Sequence, residues 1–274
     1  VLHAEKLLRA SGFDVVLGEH VFSVDGPFAG SDDERLHDLQ QATDDPSVKA
    51  VLCSRGGYGI SRIVNRVDYS ALKKHPKWYV GYSDITALHL WLNTVCGIAS
   101  LHAEMPINYS NPEYSPLCYE TMVRALKGEQ EPVVWKSLRE ASFSVEGTVS
   151  GGNISLIYSL NGTPGQPDTE GAILFIEEIG EHFYHLDRML TSMRMTGMLS
   201  NLSALIVGGM AKITEGEHVF NKSVEEIVMN VAGRYGYPVL FGFPAGHIAV
   251  NRAFYLGRSA RLTHNGSEAT LSYL

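Results

Sequence analysis

Helix and strand patterns alternate through the first half of this chain, and this alternation constrains the fold more than any other feature. The predicted elements are a helix at residues 1–11, a strand at 14–17, a helix from 31 to about 41, strands at 49–54 and 78–81, and a helical segment after residue 59. The second helix begins with a Ser-Asp-Asp-Glu capping pattern. Such alternation predicts a parallel sheet with helices on both faces.

Two glycine-rich turns of this half each follow a predicted strand. Residues 55–59 are Arg-Gly-Gly-Tyr-Gly, and residues 81–84 are Gly-Tyr-Ser-Asp. In open α/β sheets, sites form outside the carboxyl ends of the strands. Both turns therefore lie where a functional site is expected.

The second half predicts a mixed α+β domain. Its elements are strands at residues 172–176, 204–207 and 238–241, helices at 182–195 and 223–234, and an antiparallel tail at 253–274 around an Asn265-Gly266 turn. Residues 111–144 contain many turn-forming residues around a short helix at 119–127, and they predict a connection between domains at 1–110 and 145–274. The chain begins with a predicted helix, whereas a doubly wound domain normally begins with a strand. Either the first strand is absent from this sequence or the topology is unusual, and we favour the absent strand.

Composition excludes several classes of function. The 274 residues are 45% hydrophobic, enough for one large or two modest domains. A net charge of −8 without a basic cluster argues against nucleic acid or an anionic membrane surface as partner. No apolar run approaches the roughly 20 residues that span a bilayer. Three dispersed cysteines argue against a disulfide framework or a zinc knuckle, and they indicate a reducing, cytoplasmic compartment.

Ser83 is the candidate nucleophile, because it lies on the turn between a predicted strand and a predicted helix. Such a turn exposes the hydroxyl and directs backbone N–H groups to the space beside it. The usual nucleophile turn has a second glycine two residues after the serine, where this chain has Ile85. A serine at a helix start is also a favoured N-cap, so the turn alone leaves both interpretations open.

A serine nucleophile needs a base and an orienting carboxylate. Of the 11 histidines, His247 follows a strand end within the turn-rich run 242–247, and His102 also follows an apolar segment. Glu177 and Glu178 directly follow a buried strand, and only one of the two can face a given site because neighbouring strand side chains alternate. A loop histidine without a task and a solvated acidic helix start are the competing interpretations.

Five motifs in this order resemble the LD-carboxypeptidase family, serine peptidases that include murein tetrapeptide carboxypeptidases and microcin self-immunity peptidases. They are residues 54–59, residues 81–84, residues 150–153, residues 176–178 together with 184–190, and residues 242–247. The resemblance extends over nearly the whole chain. It implies a flavodoxin-like or Rossmann-like first domain that here lacks its leading strand.

The resemblance also implies a function and roles for individual residues. It implies Ser83 as nucleophile, His247 as base and Glu177 as its orienter, with the backbone N–H groups of Gly57 and Asp84 as oxyanion hole. The implied activity is release of the C-terminal D-alanine from murein tetrapeptides in peptidoglycan recycling, without metal or cofactor. A homodimer is compatible with the sequence.

A carboxypeptidase must also recognise a free carboxylate, for which a fixed cation is suited. Arg55 beside the glycine turn is one candidate and Arg188 another, although Arg188 could equally pair with Asp187 or Glu178. His102 is a further candidate for the substrate site.

Three alternatives stay open from the sequence. The first is a self-immunity peptidase that cleaves peptidyl or aminoacyl nucleotides, for which Trp135 would be an aromatic platform. The second is a cysteine amidotransferase-like domain that uses Cys53, which also lies at a strand end. The third is a non-catalytic module that binds sugars or peptides.

Overall fold

The computed structural model describes residues 1–129, 131–137 and 142–274. Gln130 and residues 138–141, which belong to the predicted connecting region, lie outside this description. The helices are α1 (Leu2–Ala10), α2 (Asp32–Asp44), α3 (Thr86–Trp91), α4 (Pro116–Leu126), α5 (Ile154–Ser159), α6 (Phe183–Met195) and α7 (Val224–Ala232). The strands are β1 (Ala50–Leu52), β2 (Trp78–Gly81), β3 (Ser100–His102), β4 (Val133–Lys136), β5 (Phe143–Asn153), β6 (Ile173–Ile179), β7 (Ala204–Ala211), β8 (Val239–Phe241), β9 (Phe254–Leu256), β10 (Ser259–His264) and β11 (Glu268–Tyr273).

A capping box starts each of two helices, the first of them as the sequence predicted. At α2, the Ser31 hydroxyl accepts from the Glu34 backbone N–H at 3.2 Å, and the Glu34 carboxylate accepts from the Ser31 N–H at 2.7 Å. Ser223 and Glu226 repeat the arrangement at α7. Each box satisfies N–H groups that a helix start would otherwise leave without partners.

The first sheet has the strand order β1-β2-β3-β9. Its first three strands are parallel, as the alternation predicted, and β9 runs antiparallel to β3. The second sheet has the order β4-β11-β10-β5-β6-β7-β8, in which β5 to β8 are parallel and the other pairs are antiparallel. The chain is therefore a mixed α/β protein with two sheets, and the predicted fold class is confirmed.

Two local predictions were wrong. Residues 14–17 form no strand, because a strand needs a neighbour for its backbone groups and no described segment pairs with them. Instead the Val15 carbonyl accepts from the Arg9 guanidinium at 2.5 Å. The segment after Gly59 forms only two short 3₁₀ turns, and the Asp68 side chain accepts from the Ser70 N–H in a local turn that competes with a longer helix.

The two sheets share one hydrophobic core. Buried Leu88 of α3 lies in the same cluster as Ile157 of α5 and Ile176 of β6. The Thr86 hydroxyl at the start of α3 accepts from the Asn153 backbone N–H at 3.0 Å. This contact fixes the helix that follows Ser83 against the strand end that lies beside Glu177 in the second sheet.

The last part of the chain returns to the first sheet through β9, directly after the His247 loop. Strand β4, from the predicted connecting region, joins the second sheet instead. The domain boundaries at residues 110 and 145 stay a prediction. Among the helices of the described residues, none has the length and apolar character to cross a membrane.

Candidate active site

Ser83 follows β2 in a tight turn and adopts a left-handed backbone conformation with φ 64°. Non-glycine residues rarely adopt this conformation, and when they do they cluster at functional sites. Ser83 is the first residue of a short 3₁₀ turn whose N-cap is Tyr82, and its hydroxyl lies 3.1 Å from Nε2 of His247. The geometry therefore favours the nucleophile interpretation over the N-cap.

His247 connects Ser83 to Glu177. Its Nδ1 lies 2.7 Å from Oε2 of Glu177, and its backbone N–H donates to the same oxygen at 3.3 Å. The Glu177 side chain is fully buried, whereas that of His247 is 12% exposed. An imidazole bonded in this way can take the proton of a serine hydroxyl while the carboxylate holds its tautomer and stabilises the imidazolium.

Strand β6 carries two adjacent carboxylates, Glu177 and Glu178, whose side chains lie in different environments. Its register with β7 is irregular between Ile176 and Glu178, and such a bulge next to a site re-aims a side chain. Glu177 faces His247. Glu178 accepts hydrogen bonds from the Asn153 amide and from the Ser155 and Ile179 backbone N–H groups, and burial raises its pKa. Glu178 is thus fully engaged at the start of α5.

The loop that carries His247 packs directly on Glu177 through Gly246. A Cβ at Gly246 would lie 2.8 Å from Cβ of Glu177 and 2.9 Å from its Oε2, and the residue has φ 106°. Ala245 holds the same loop to β7, since its carbonyl accepts from the Gly209 N–H at 2.9 Å. Glycine at position 246 therefore permits the short distance between histidine and carboxylate.

The glycine turn after β1 lies against the serine. A Cβ at Gly56 would come within 2.9 Å of Cβ and 3.1 Å of Oγ of Ser83. Gly57 follows with φ 117° and is exposed, and Asp84 directly follows Ser83. The Asp84 carboxylate accepts from the Ile60 N–H at 2.9 Å, which ties the two turns together. Burial raises the pKa of Asp84.

The three candidates for substrate contact are placed differently. Arg55 is exposed beside Gly57 and, in the part of the chain that is described, forms no ion pair. Arg188 is exposed on α6, where its guanidinium lies 5.3 Å from the centroid of the Tyr184 ring. His102 is 1% exposed and lies between the rings of Tyr82 and Phe254, so it has no open path to a substrate.

Burial also decides the state of His102 and Cys53. It lowers the pKa of His102 to about 3, with smaller contributions from His89 and His247, so the ring is neutral at physiological pH. It raises the pKa of Cys53 to about 12, with a smaller contribution from the Asp84 carboxylate. Since the thiolate is the nucleophile in cysteine catalysis, this environment disfavours the alternative that uses Cys53.

One surface cluster brings together side chains that could hold a metal ion, away from Ser83 and His247. Ligand atoms of Glu19, His20 and His37 all lie within 4.8 Å of one another. Two of these groups already have carboxylate partners: His20 Nδ1 lies 2.8 Å from Asp38, and His37 Nε2 lies 3.4 Å from Glu19. Catalysis by a serine, a histidine and a carboxylate in general uses no metal ion.

Three residues around His247 had no individual signal in the sequence: Tyr82, Glu104 and Asn251. The Tyr82 ring packs on the His247 ring at a centroid distance of 4.9 Å. Asn251 accepts from the Gly246 backbone N–H at 2.9 Å, and its amide nitrogen donates to Glu104 at 3.2 Å. Asn251 follows His247 by only four residues, so proximity to the candidate base was the one signal that could have identified it.

Comparison with known proteins gives consistent matches over most of the chain. The model of the LD-carboxypeptidase N-terminal domain matches residues 1–103, and that of the C-terminal domain matches residues 146–262. A Bacillus subtilis protein named "probable murein peptide carboxypeptidase" is 35% identical over 268 residues, 96% of this chain and 83% of its own length. The murein tetrapeptide carboxypeptidase of Pseudomonas aeruginosa is 30% identical over 94% of this chain and 86% of its own length.

Solved structures agree with this assignment. The muramoyltetrapeptide carboxypeptidase from Oxalobacter formigenes has a TM-score of 0.89 at 28% identity, covering 99% of this chain and 92% of its own. MccF in complex with glutamyl sulfamoyl guanosine has a TM-score of 0.87 at 22% identity, covering 100% and 90%, and it shares the fold. With both domain models matched in order and relatives similar along nearly its full length, the chain belongs to the LD-carboxypeptidase family.

Proposed function

We propose that this carboxypeptidase is a serine enzyme that releases the C-terminal D-alanine from murein tetrapeptides by means of Ser83, His247 and Glu177. The observation that carries the proposal is the continuous hydrogen-bonded series from Ser83 Oγ through His247 to Glu177, with distances of 3.1 Å and 2.7 Å. The substrate class is supported by the names of the P. aeruginosa and O. formigenes relatives.

The chemistry follows from these positions. Ser83 Oγ attacks the carbonyl carbon of the L-centre joined to D-alanine, while His247 Nε2 takes the hydroxyl proton. His247 then gives that proton to the amine of the departing D-alanine, and an acyl-enzyme remains on Ser83. A water molecule, deprotonated by His247, attacks the ester, and collapse of the second tetrahedral intermediate returns the proton to Ser83.

The backbone N–H groups of Gly57 and Asp84 are the proposed oxyanion hole. The contact of Gly56 with Ser83 supports this role for the neighbouring Gly57, because it brings the glycine turn to the serine hydroxyl. Such donors act on the negative charge that develops in the tetrahedral intermediate, and losing one typically costs about 10²–10³ in rate.

Arg55 is the proposed binding group for the terminal carboxylate of the substrate. It is exposed beside the same glycine turn, and among the described residues no carboxylate neutralises it. A guanidinium can bind a carboxylate through two parallel hydrogen bonds, which fixes orientation as well as charge. His102 is not proposed as a substrate contact, since it is buried behind Tyr82.

The self-immunity activity is the second candidate, because MccF shares the fold. Trp135, the tryptophan considered as an aromatic platform, is only 6% exposed and donates from Nε1 to the Phe241 carbonyl at 3.1 Å. It packs edge-on against Phe243 in a separate buried cluster that also contains Phe175 and Phe254. This placement makes it a packing residue and favours the murein peptide over an aminoacyl nucleotide.

A side-by-side assay distinguishes these substrates. The enzyme is incubated with a murein tetrapeptide, a murein pentapeptide and an aminoacyl sulfamoyl adenosine, and products are identified by mass spectrometry. We expect D-alanine release from the tetrapeptide to exceed turnover of the other two. Preferential cleavage of the sulfamoyl adenosine would instead assign the self-immunity activity.

The free thiols of Cys53, Cys96 and Cys118 support a cytoplasmic setting for the proposed role in peptidoglycan recycling.

A further inference from the structure

Asn251 is fully buried, and its side chain accepts a hydrogen bond from the backbone of the loop that carries His247. Its Oδ1 accepts from the Gly246 N–H at 2.9 Å and lies 3.1 Å from Nε2 of His102. Its Nδ2 donates to Oε2 of Glu104 at 3.2 Å. Because a carboxylate only accepts hydrogen bonds, Glu104 fixes which way the Asn251 amide points, and neutral His102 then donates from Nε2.

Glu104 is also connected to His247 by a second route, through Asn108 and Tyr82. Its Oε1 accepts from the Asn108 amide at 2.7 Å and from the Met105 N–H at 3.0 Å. The same Asn108 amide donates to the Tyr82 hydroxyl at 3.2 Å, and the Tyr82 ring packs on the His247 ring. One carboxylate with 1% exposure thus supports both the loop before His247 and the ring beside it.

We infer that Glu104 and Asn251 are positioning residues that set the distance between His247 and Ser83. The inference rests on the proposed role of His247 as base. Proton transfer requires hydrogen-bond contact between Nε2 and the serine hydroxyl, and a displacement of about 1 Å can cost 10²-fold in rate. Both carboxylate oxygens of Glu104 and both amide atoms of Asn251 have hydrogen-bond partners, and buried polar groups that are satisfied in this way make the local geometry rigid.

The donor and acceptor pattern gives a direct test. Asn251→Asp places two carboxylates in a buried contact, where like charges repel. Glu104→Gln loses one acceptor, so its amide nitrogen must face another donor. The double exchange Glu104→Gln with Asn251→Asp restores a donor facing an acceptor, with the roles of the two positions reversed.

The experiment compares the wild type, both single variants and the double variant. The readouts are kcat and KM for D-alanine release from a murein tetrapeptide, the rate at which a fluorophosphonate labels Ser83, and Tm. Each single variant is expected to lose about 10²-fold in kcat and in labelling rate, with a much smaller change in KM. The double variant is expected to have a kcat and a labelling rate at least about tenfold higher than those of the Asn251→Asp single variant.

Asn93→Asp is the matched control. Asn93 is a partly buried asparagine whose amide donates to the Ile98 carbonyl at 2.7 Å and to Ser100 Oγ at 3.3 Å, outside the His247 loop. Asn93→Asp should have a lower Tm than the wild type, whereas its folded fraction should keep the wild-type kcat and labelling rate. Equal losses of kcat in Asn93→Asp and Asn251→Asp, or a folded double variant as slow as the singles, would overturn the inference.

The same data separate the inference from the proposed function. If the wild type neither releases D-alanine nor reacts with the fluorophosphonate, the proposed function fails. If the wild type does both and the variants at positions 104 and 251 match it, only the positioning role fails. If the single variants do not fold, the double variant is compared with the wild type: a folded double variant within about tenfold of the wild type in kcat and labelling rate supports the inference, and a folded double variant that is about 10²-fold slower overturns it.

Discussion

Ser83 has a backbone conformation that costs a serine about 1–2 kcal/mol relative to the right-handed region. The surrounding turn maintains it, with Gly56 packed against the side chain and Asp84 bonded to the Ile60 N–H. The result is a partly exposed hydroxyl directed at His247. At the scale of single residues, local strain is thus associated with placement of the proposed nucleophile.

Glu177 and Glu178 are neighbours in the chain with separate environments, which predicts separate effects of the same substitution. Glu177→Gln should lower kcat by about 10³–10⁴, because a neutral amide cannot hold the tautomer and the imidazolium of His247. Glu178→Gln should act mainly on Tm, because its carboxylate accepts three hydrogen bonds around α5. Steady-state kinetics and thermal unfolding measure the two effects. The opposite ranking in kcat would show that Glu178 is the orienting carboxylate.

At the scale of elements, strand ends carry the site. The turn after β1 brings Gly57, the turn after β2 brings Ser83, β6 brings Glu177, and the loop after β8 brings His247. Each element is short and well paired, so the loops between them define the distances. The His247 loop is held by Glu177, Gly209 and Asn251, which come from three separate segments.

The close packing of that loop predicts different outcomes for two glycine substitutions. Gly246→Ala and Gly266→Ala both place alanine at a positive φ, 106° and 101°, and should each lose about 1–2 kcal/mol of stability. Only Gly246→Ala also presses a methyl group against Glu177, so only it should lose about 10²-fold in kcat. Nothing lies within 4 Å of the methyl position at Gly266, in the β10–β11 hairpin. Normal kcat in folded Gly246→Ala would contradict the proposed geometry.

Local patterns were enough to predict the elements that carry the site. The strand-to-helix turn at Ser83, the acidic pair after β6 and the turn-rich run before His247 are all short-range signals. Contacts between segments that are distant in the chain could not be predicted from local patterns, because they depend on how the whole chain folds. The return of β9 to the first sheet and the contact between Asn251 and Glu104 are both of this kind. The strand predicted at residues 14–17 failed for the same reason, since it depends on a pairing partner.

At the scale of the whole molecule, one shared core joins the two sheets and holds Ser83 close to His247. The interior of the protein also contains buried polar side chains, among them a histidine. His89 of α3 is fully buried, with Nε2 donating to the Gly81 carbonyl at 2.9 Å, and burial lowers its pKa to about 4. The folded chain therefore keeps this ring neutral through the mildly acidic range.

This buried ring predicts a loss of stability in mild acid. Between pH 6.5 and pH 4 the unfolded chain binds a proton at His89 that the folded chain does not, so the free energy of unfolding falls as pH falls. His89→Gln keeps a donor for Gly81 and should flatten that dependence by up to about 1.4 kcal/mol per pH unit. Urea denaturation at several pH values measures it, with exposed His75→Gln as the control. An unchanged slope in His89→Gln would exclude His89 as a source of acid sensitivity.

Ser83 is the proposed nucleophile of this carboxypeptidase, with murein tetrapeptides as its proposed substrates. The most direct measurement is D-alanine release from a murein tetrapeptide, followed by mass spectrometry, for the wild type and Ser83→Ala. We expect the wild type to release D-alanine and a Ser83→Ala protein with near-normal Tm to release none. Near-normal turnover by folded Ser83→Ala would contradict it.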